Sequence, residues 1–175
     1  MESGRKKLFE FFYLCELTVN RIKPLSRIEY PLDQKSNSWL KHKGLITEII
    51  PRKTLNGKII YETIFSISSR YIEFYQKSFY KTRLDIAGSS QKLEGFLFGY
   101  PSCCVNQFIK KPYARNSLSK IEQSYLFHWA CKNCRVTPEL IPYYLAIYKT
   151  TEEWFNHHII LNHSENTSKT FPKII

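Results

Sequence analysis

Four of the five cysteines in this chain fall in two close pairs. Cys103 and Cys104 are adjacent, and Cys131 and Cys134 form a Cys-x-x-Cys segment that begins 27 residues after Cys104. A Cys-x-x-Cys loop lets two sulfurs converge on one metal ion, and a second pair completes a set of four ligands. The spacing therefore predicts a metal site made of Cys103, Cys104, Cys131 and Cys134.

The sequence leaves the identity of the metal open between zinc and an iron–sulfur cluster. Zinc is the commoner ion where cysteines occur in spaced pairs, and His128, three residues before Cys131, is an alternative ligand for it. Adjacent cysteines, however, point in different directions, and they reach two irons of a cluster more easily than one small ion. Pro101 and Ser102 place Cys103 and Cys104 in the first turn of a helix, where free amides and the helix dipole lower a thiol pKa.

Two other interpretations of the cysteines remain. In the first, the protein is a thiol–disulfide redox enzyme in which Cys131 and Cys134 cycle, and Cys103 or Cys104 resolves the intermediate. In the second, the thiols are buried apolar groups without chemistry, which is the interpretation we favour for the fifth cysteine, Cys15, on the apolar stripe of a helix.

The chain is strongly basic, with 26 Lys and Arg against 15 Asp and Glu, a net charge of +11 and a pI near 9.4. The excess concentrates in residues 101–150, which hold seven basic and two acidic residues. Tyr113, Tyr125 and Trp129 are interleaved with these cations, and cations with aromatic rings suit a nucleic acid or an acidic protein partner. The candidate nucleic-acid-binding residues are Lys110, Lys111, Arg115, Lys120, Lys132 and Arg135.

Hydrophobic periodicity predicts a mainly helical α+β protein with one antiparallel hairpin. The hairpin spans about residues 45–67 around the turn signal Asn56-Gly57, and the helical, cysteine-bearing part spans about 69–150. We expect one domain over 1–161, an irregular stretch at 33–38, and a polar, frayed tail over 162–175. The predicted helices cover 5–20, 69–86, 90–98, 102–110, 117–130 and 137–149, with a helical continuation over 151–161.

Several classes of protein are disfavoured by what the sequence lacks. No apolar run approaches the roughly 20 residues that a membrane-spanning helix needs. No phosphate-binding glycine loop, nucleophile elbow or His-Glu-x-x-His motif is present, which disfavours nucleotide-dependent and hydrolytic enzymes. The basic N-terminal segment is interrupted by Glu10 and Glu16, so we expect no export signal and a cytoplasmic location, or the equivalent reducing compartment of an AT-rich organelle.

The cysteine-bearing segment resembles a family of small prokaryotic proteins of unknown function, mainly archaeal, over residues 70–150. That family carries a Gly-Tyr-Pro-x-Cys-Cys-Val motif, matched here at residues 99–105, and then an aromatic-His-x-x-Cys-x-x-Cys segment, matched at residues 127–134. Leu93, Glu94 and Gly95 fit the stretch before the motif, whereas Ala130 and Lys132 stand where the family often has proline and serine. The resemblance implies that the cysteine site matters, and it supplies no reaction.

Overall fold

The computed structural model describes residues 2–84 and 88–160, with the side chains of residues 4–84 and 88–158. Within these residues the protein has seven α-helices and one three-stranded sheet. The fold is therefore mainly helical α+β, as predicted. The elements are α1 (Glu2–Val19), β1 (Ser26–Ile28), α2 (Gln34–His42), β2 (Ile46–Lys53), β3 (Ile59–Ser66), α3 (Ser69–Phe79), α4 (Gly88–Leu97), α5 (Ser102–Lys110), α6 (Lys120–Ser124) and α7 (Val136–Phe155), followed by a π-helical turn (Asn156–Ile160).

The sheet is antiparallel, with strand order β1-β3-β2. The predicted hairpin is confirmed: β2 and β3 pair from Ile46 opposite Ser66 to Lys53 opposite Ile59, and Gly57 takes the left-handed φ of +84° that the turn requires. The short β1 was not predicted. It is only three residues long, too short for an alternating pattern to stand out in the sequence.

Two stretches of the chain differ from the prediction. The segment 33–38, expected to be irregular, contains the start of α2, because the Asp33 carboxylate accepts a 2.7 Å hydrogen bond from the Ser36 amide and caps the helix. The helix predicted from residue 69 to 86 ends at Phe79. The last predicted residues of that helix, 85–86, and the predicted tail at 162–175 lie outside the described residues.

The helix predicted over 117–130 is wrong, since only α6 is helical there. Two side chains bind the backbone that would otherwise form the helix. The Gln123 amide nitrogen donates to the His128 carbonyl at 2.7 Å, its oxygen accepts from the Ala130 amide at 3.2 Å, and Asn116 donates to the Ala130 carbonyl at 3.2 Å. The His128 carbonyl and the Ala130 amide and carbonyl thus have side-chain partners in place of helical hydrogen bonds.

The core holds α1 against α7 and the sheet. Cys15 is completely buried among aromatic and aliphatic side chains, which confirms its assignment as a core residue. The Tyr13 hydroxyl lies 2.9 Å from the Tyr125 carbonyl and 3.1 Å from the Tyr144 carbonyl, and it therefore ties α1 to the end of α6 and to α7. The helix α7 continues through Pro142, as expected.

The pair α4 and α5 depends on two glycines. A Cβ atom at Gly95 would collide with the Val105 side chain, so glycine is what lets the two helices approach. Gly99 links them with a φ of +71°, and a Cβ there would lie 2.7 Å from Pro24 Cδ. In the described part of the chain, no helix is both long and apolar enough to cross a membrane.

Candidate metal centre

The four predicted cysteine sulfurs meet at one point. All of them lie within 4.8 Å of one another, and no disulfide joins them. The Cys104 Sγ is 3.5 Å from Cys134 Sγ and 3.9 Å from Cys103 Sγ, and the Sγ atoms of Cys103 and Cys134 are 3.7 Å apart. The geometry confirms that the two sequence pairs form one cluster, which is able to hold a metal ion.

The start of α5 brings the adjacent cysteines together. Pro101 precedes the helix, and its carbonyl accepts hydrogen bonds from the Cys104 and Val105 amides at 2.9 and 3.1 Å. Helical side chains lean towards the N-terminus, so two consecutive residues of the first turn can both reach a point just beyond the helix end. Cys103 is exposed and Cys104 is buried.

The other pair lies in a tight loop that leads into α7. The Cys134 amide donates to the Cys131 carbonyl at 3.2 Å, and Asn133 takes a left-handed φ of +57° at the loop tip. The Cys134 Sγ accepts a 3.3 Å hydrogen bond from the Thr137 amide three residues later. The sulfur therefore accepts a hydrogen bond from a backbone amide of the first turn of α7, although Arg135 and not Cys134 is the N-cap residue of that helix. Because the expected helix 117–130 is absent, this pair follows an irregular segment instead of a helix end.

Thr137 is a member of the site that the sequence did not reveal as such. Its side chain is completely buried, and its Oγ1 lies 3.3 Å from Cys104 Sγ, 3.2 Å from Cys134 Sγ and 3.1 Å from His128 Nε2. The Cys131 amide also donates to Cys104 Sγ at 3.3 Å. Hydrogen bonds of this kind stabilise thiolates and orient metal ligands. In the sequence, Thr137-Pro138 is typical of the start of a helix, so it does not indicate that the Thr137 hydroxyl contacts the cysteine sulfurs.

The cysteine pKa values differ from the expectation for the start of α5. Burial raises the pKa of Cys104 to about 11, despite its place in the first turn of the helix. Burial also raises the pKa of Cys131. At Cys134 burial acts in the same direction, but hydrogen bonds with Thr137 outweigh it and lower the pKa to about 6. The helix terminus that favours a thiolate is therefore that of α7.

His128, the alternative ligand, lies outside the cluster of sulfurs. Its Nε2 is engaged with Thr137, and its ring packs on Tyr100 with centroids 5.3 Å apart. Burial lowers the pKa of His128 to about 4, and the nearby charge of Lys23 adds to this effect, so the imidazole is neutral. Its Nδ1 is buried and has no hydrogen-bond partner in the described chain.

A buried lysine, Lys23, contacts the turn between α4 and α5. The Lys23 Nζ donates to the Phe98 carbonyl at 3.0 Å and lies 4.3 Å from the centre of the Tyr100 ring. Burial, with the charge of Arg27, lowers the pKa of Lys23 to about 7. This residue was not predicted, because nothing in a sequence distinguishes one buried lysine from many exposed ones.

A network of buried charges joins the sheet to α4. The Arg52 Nη1 donates to Glu62 at 3.2 Å, to Glu94 at 3.0 Å and to the Tyr75 hydroxyl at 3.0 Å, and Arg27 donates to Glu94 at 3.0 Å. Arg52 and Glu62 are each only 2% exposed. Two cations thus balance two carboxylates inside the protein, as burial of charge requires.

The six predicted nucleic-acid-binding residues are only partly brought together. Lys111, Arg115 and Lys132 line one small groove beside the Cys131–Cys134 loop, whereas Lys120 lines a larger cavity together with Arg115. Lys110 and Arg135 line neither of these two hollows. None of the six forms an ion pair with an acidic residue of the described chain.

No protein-family model, no curated protein and no solved structure matches this chain. The chemistry of the cysteine cluster is therefore the basis for a functional conclusion.

Proposed function

We propose that the protein binds a single zinc ion through Cys103, Cys104, Cys131 and Cys134, and that the ion has a structural role. The observation that carries the proposal is the spacing of the sulfurs. Four thiolates at about 2.3 Å around one tetrahedral ion are about 3.8 Å from each other. The sulfurs of Cys103, Cys104 and Cys134 are 3.5, 3.7 and 3.9 Å apart, and all four sulfurs, with that of Cys131, lie within 4.8 Å of one another.

An iron–sulfur cluster fits this spacing less well. In a four-iron cluster each cysteine binds a different iron, so its sulfurs lie farther apart than the ligands of a single ion. The adjacent Cys103 and Cys104, which in the sequence favoured a cluster, converge to 3.9 Å in the first turn of α5. Four soft thiolates with tetrahedral spacing suit zinc.

The structural role follows from what the cluster connects. The helix α5 packs on α4 through Val105 and Gly95, whereas α7 packs on α1. The sulfurs join the start of α5 to the loop that leads into α7. An ion held by all four thiolates would fix the two helix starts relative to each other, as structural zinc does in small domains.

Metal content tests the proposal, and the fifth cysteine supplies a matched control. The protein is purified under reducing conditions without air, and zinc, iron and acid-labile sulfide are measured. We expect about one zinc per chain and no visible absorption. The variant Cys134→Ser should lose most of the metal, whereas Cys15→Ala, which removes a buried thiol outside the cluster, should keep it.

Other results would identify the alternatives. A brown protein with stoichiometric iron and sulfide would show that the four cysteines bind an iron–sulfur cluster and not zinc. A metal-free protein in which Cys131 and Cys134 oxidise and reduce reversibly would support the thiol–disulfide enzyme. The lowered pKa of Cys134 and its 3.5 Å approach to Cys104 Sγ are the observations on which that second function rests.

A further inference from the structure

Residues 113–117 form a wall between two hollows of different chemistry. On one side is the basic groove, about 400 Å³, lined by Gln107, Lys111, Arg115, Lys132 and Asn133 among others. On the other side is the aromatic cavity, about 1280 Å³, which lies between α4, α5 and residues 113–129. Arg115, Asn116 and Ser117 line both hollows, so the two adjoin at these residues.

The basic groove has the composition of an anion site. Three cations line it, no acidic residue of the described chain does, and Lys111, Arg115 and Lys132 are all exposed and have no carboxylate partner within the described ranges. Three cations that converge without counterions repel each other and attract a polyanion such as a phosphodiester backbone.

The aromatic cavity presents a ring next to that groove. The Tyr113 side chain is 69% exposed. Its backbone takes a left-handed φ of +55°, a conformation that costs free energy for a residue with a side chain. Its ring is held edge-on by Phe108 at 5.2 Å and by Trp129 at 5.5 Å. The Trp129 Nε1 donates to the Ala114 carbonyl at 2.7 Å, which fixes this corner of the wall.

The size and walls of the cavity suit a planar heterocycle. Its volume exceeds the roughly 300–1,000 Å³ of common small-molecule sites, so a base with its sugar fits. Phe98, Tyr100 and Phe108 line it, together with Arg27 and Glu94, which are paired with each other at 3.0 Å. Aromatic side chains beside a cationic groove are the parts with which proteins bind single-stranded nucleic acid.

We infer that the basic groove and the aromatic cavity together bind a nucleotide unit of a single-stranded nucleic acid, with phosphate in the groove and the base against Tyr113 in the cavity. The inference goes beyond the zinc site, although Lys132 is carried by the Cys131–Cys134 loop and the two are neighbours. It selects Lys111, Arg115 and Lys132 from the six basic candidates and adds Tyr113 as the base contact.

The groove is tested by anisotropy of a fluorescein-labelled single-stranded RNA decamer over a range of salt concentrations, with the full chain. The triple variant Lys111→Gln, Arg115→Gln, Lys132→Gln should bind at least tenfold more weakly, and its salt slope should fall by about 2, since each phosphate contact on a single strand contributes about 0.7. The control variant Lys41→Gln, Lys58→Gln, Lys77→Gln loses the same charge from exposed sites elsewhere and should bind within about twofold of the wild type.

The base contact is tested with Tyr113→Leu, which should weaken binding fivefold or more and leave the salt slope unchanged. Tyr61→Leu, at an exposed tyrosine on β3, is its control and should have no effect. Competition with adenosine monophosphate, inorganic polyphosphate, an RNA duplex and an unlabelled single strand identifies the ligand. Displacement only by the single strand supports the inference, whereas displacement by the monophosphate at micromolar concentration assigns the site to free nucleotides and overturns it.

The inference is overturned if the two triple variants lose affinity equally, if Tyr113→Leu binds like the wild type, or if polyphosphate or duplex competes as well as the single strand. Zinc content and circular dichroism of every variant are measured alongside. A wild-type protein that is folded and contains zinc but does not bind the RNA speaks against this inference alone. A wild-type protein that contains no zinc but binds RNA with the expected variant pattern speaks against the zinc proposal alone.

Discussion

Thr137 shows how one small polar side chain can organise the candidate metal centre. It is completely buried, and its hydroxyl touches two sulfurs and the neutral His128 ring. A hydroxyl has one hydrogen, so it is able to donate to one thiolate while it accepts from the N–H of the imidazole. Partners of this kind around metal ligands typically contribute 10–100-fold to metal affinity.

We therefore expect Thr137→Val, which keeps the shape and removes the hydroxyl, to weaken zinc binding by roughly 10–100-fold without abolishing it. Competition with a chromophoric chelator measures the affinity. Thr137→Ser restores the hydroxyl and should bind zinc nearly as well as the wild type. Equal affinity in the valine variant and the wild type would show that the hydroxyl does not support the thiolates.

Lys23 is the other residue whose environment determines its chemistry. It is 1% exposed, and burial with the nearby charge of Arg27 lowers its pKa from the ordinary 10.5 to about 7. The unfolded chain therefore binds more protons than the folded chain between about pH 7 and pH 10.5. In that window, the contribution of Lys23 to the free energy of unfolding rises with pH. Below pH 7 the buried lysine is charged, and the full cost of burying that charge lowers the free energy of unfolding.

The variant Lys23→Met removes this titration. Relative to Lys23→Met, the wild type should gain stability from pH 7 to pH 9.5, by an amount on the order of a few kcal/mol. Denaturant unfolding of both proteins at several pH values measures the difference, in which the shared titration of the cysteines cancels. A difference that is constant with pH would mean that Lys23 keeps its ordinary pKa in the folded protein.

At the scale of elements, the close approach of α4 and α5 sets the position of two of the four cysteines. Gly95→Ala would place a methyl group against Val105 and push the helices apart, so we expect it to lower the free energy of unfolding by about 1–3 kcal/mol and to weaken metal binding. Gly4→Ala in α1 is the control. Nothing lies within 4 Å of a Cβ there, and alanine should stabilise the helix by up to about 1 kcal/mol. Chemical denaturation measures both, and equal stability of the two variants would contradict the packing.

Local signals in the sequence were enough to predict some elements of the structure but not others. Asn56-Gly57 specifies its hairpin through a turn conformation that needs no distant partner. The two pairs of cysteines likewise predict a shared site from their spacing alone. The helix over 117–130 failed because Gln123 and Asn116 bind the backbone of a later segment, a competition that periodicity does not reveal. The partners of Arg52 are likewise far apart in sequence, so only the fold brings them together.

At the scale of the whole molecule, the sulfur cluster joins parts that otherwise pack separately. The sheet and α1 share a buried apolar cluster, and the ion pairs of Arg27 and Arg52 with Glu62 and Glu94 attach α4 to the sheet. The start of α5 and the loop before α7 have fewer buried apolar contacts. These are the regions whose order should depend on the metal.

Removal of the metal should therefore destabilise the regions around the four cysteines more than the rest of the protein. With a chelator under reducing conditions, amide hydrogen exchange should accelerate in residues 102–110 and 129–139, while β2, β3 and the centre of α1 remain protected. Addition of zinc should restore protection. Exchange that stays unchanged throughout, or that accelerates equally in the sheet, would show that the cluster does not hold these elements together.

X-ray absorption at the metal edge of the protein purified without air tests the central proposal most directly. A structural zinc site predicts one zinc per chain with four sulfur neighbours at about 2.3 Å and no nearby second metal. Iron with sulfide and a neighbouring iron, a nitrogen ligand in place of a sulfur, or a protein that contains no bound metal would contradict it.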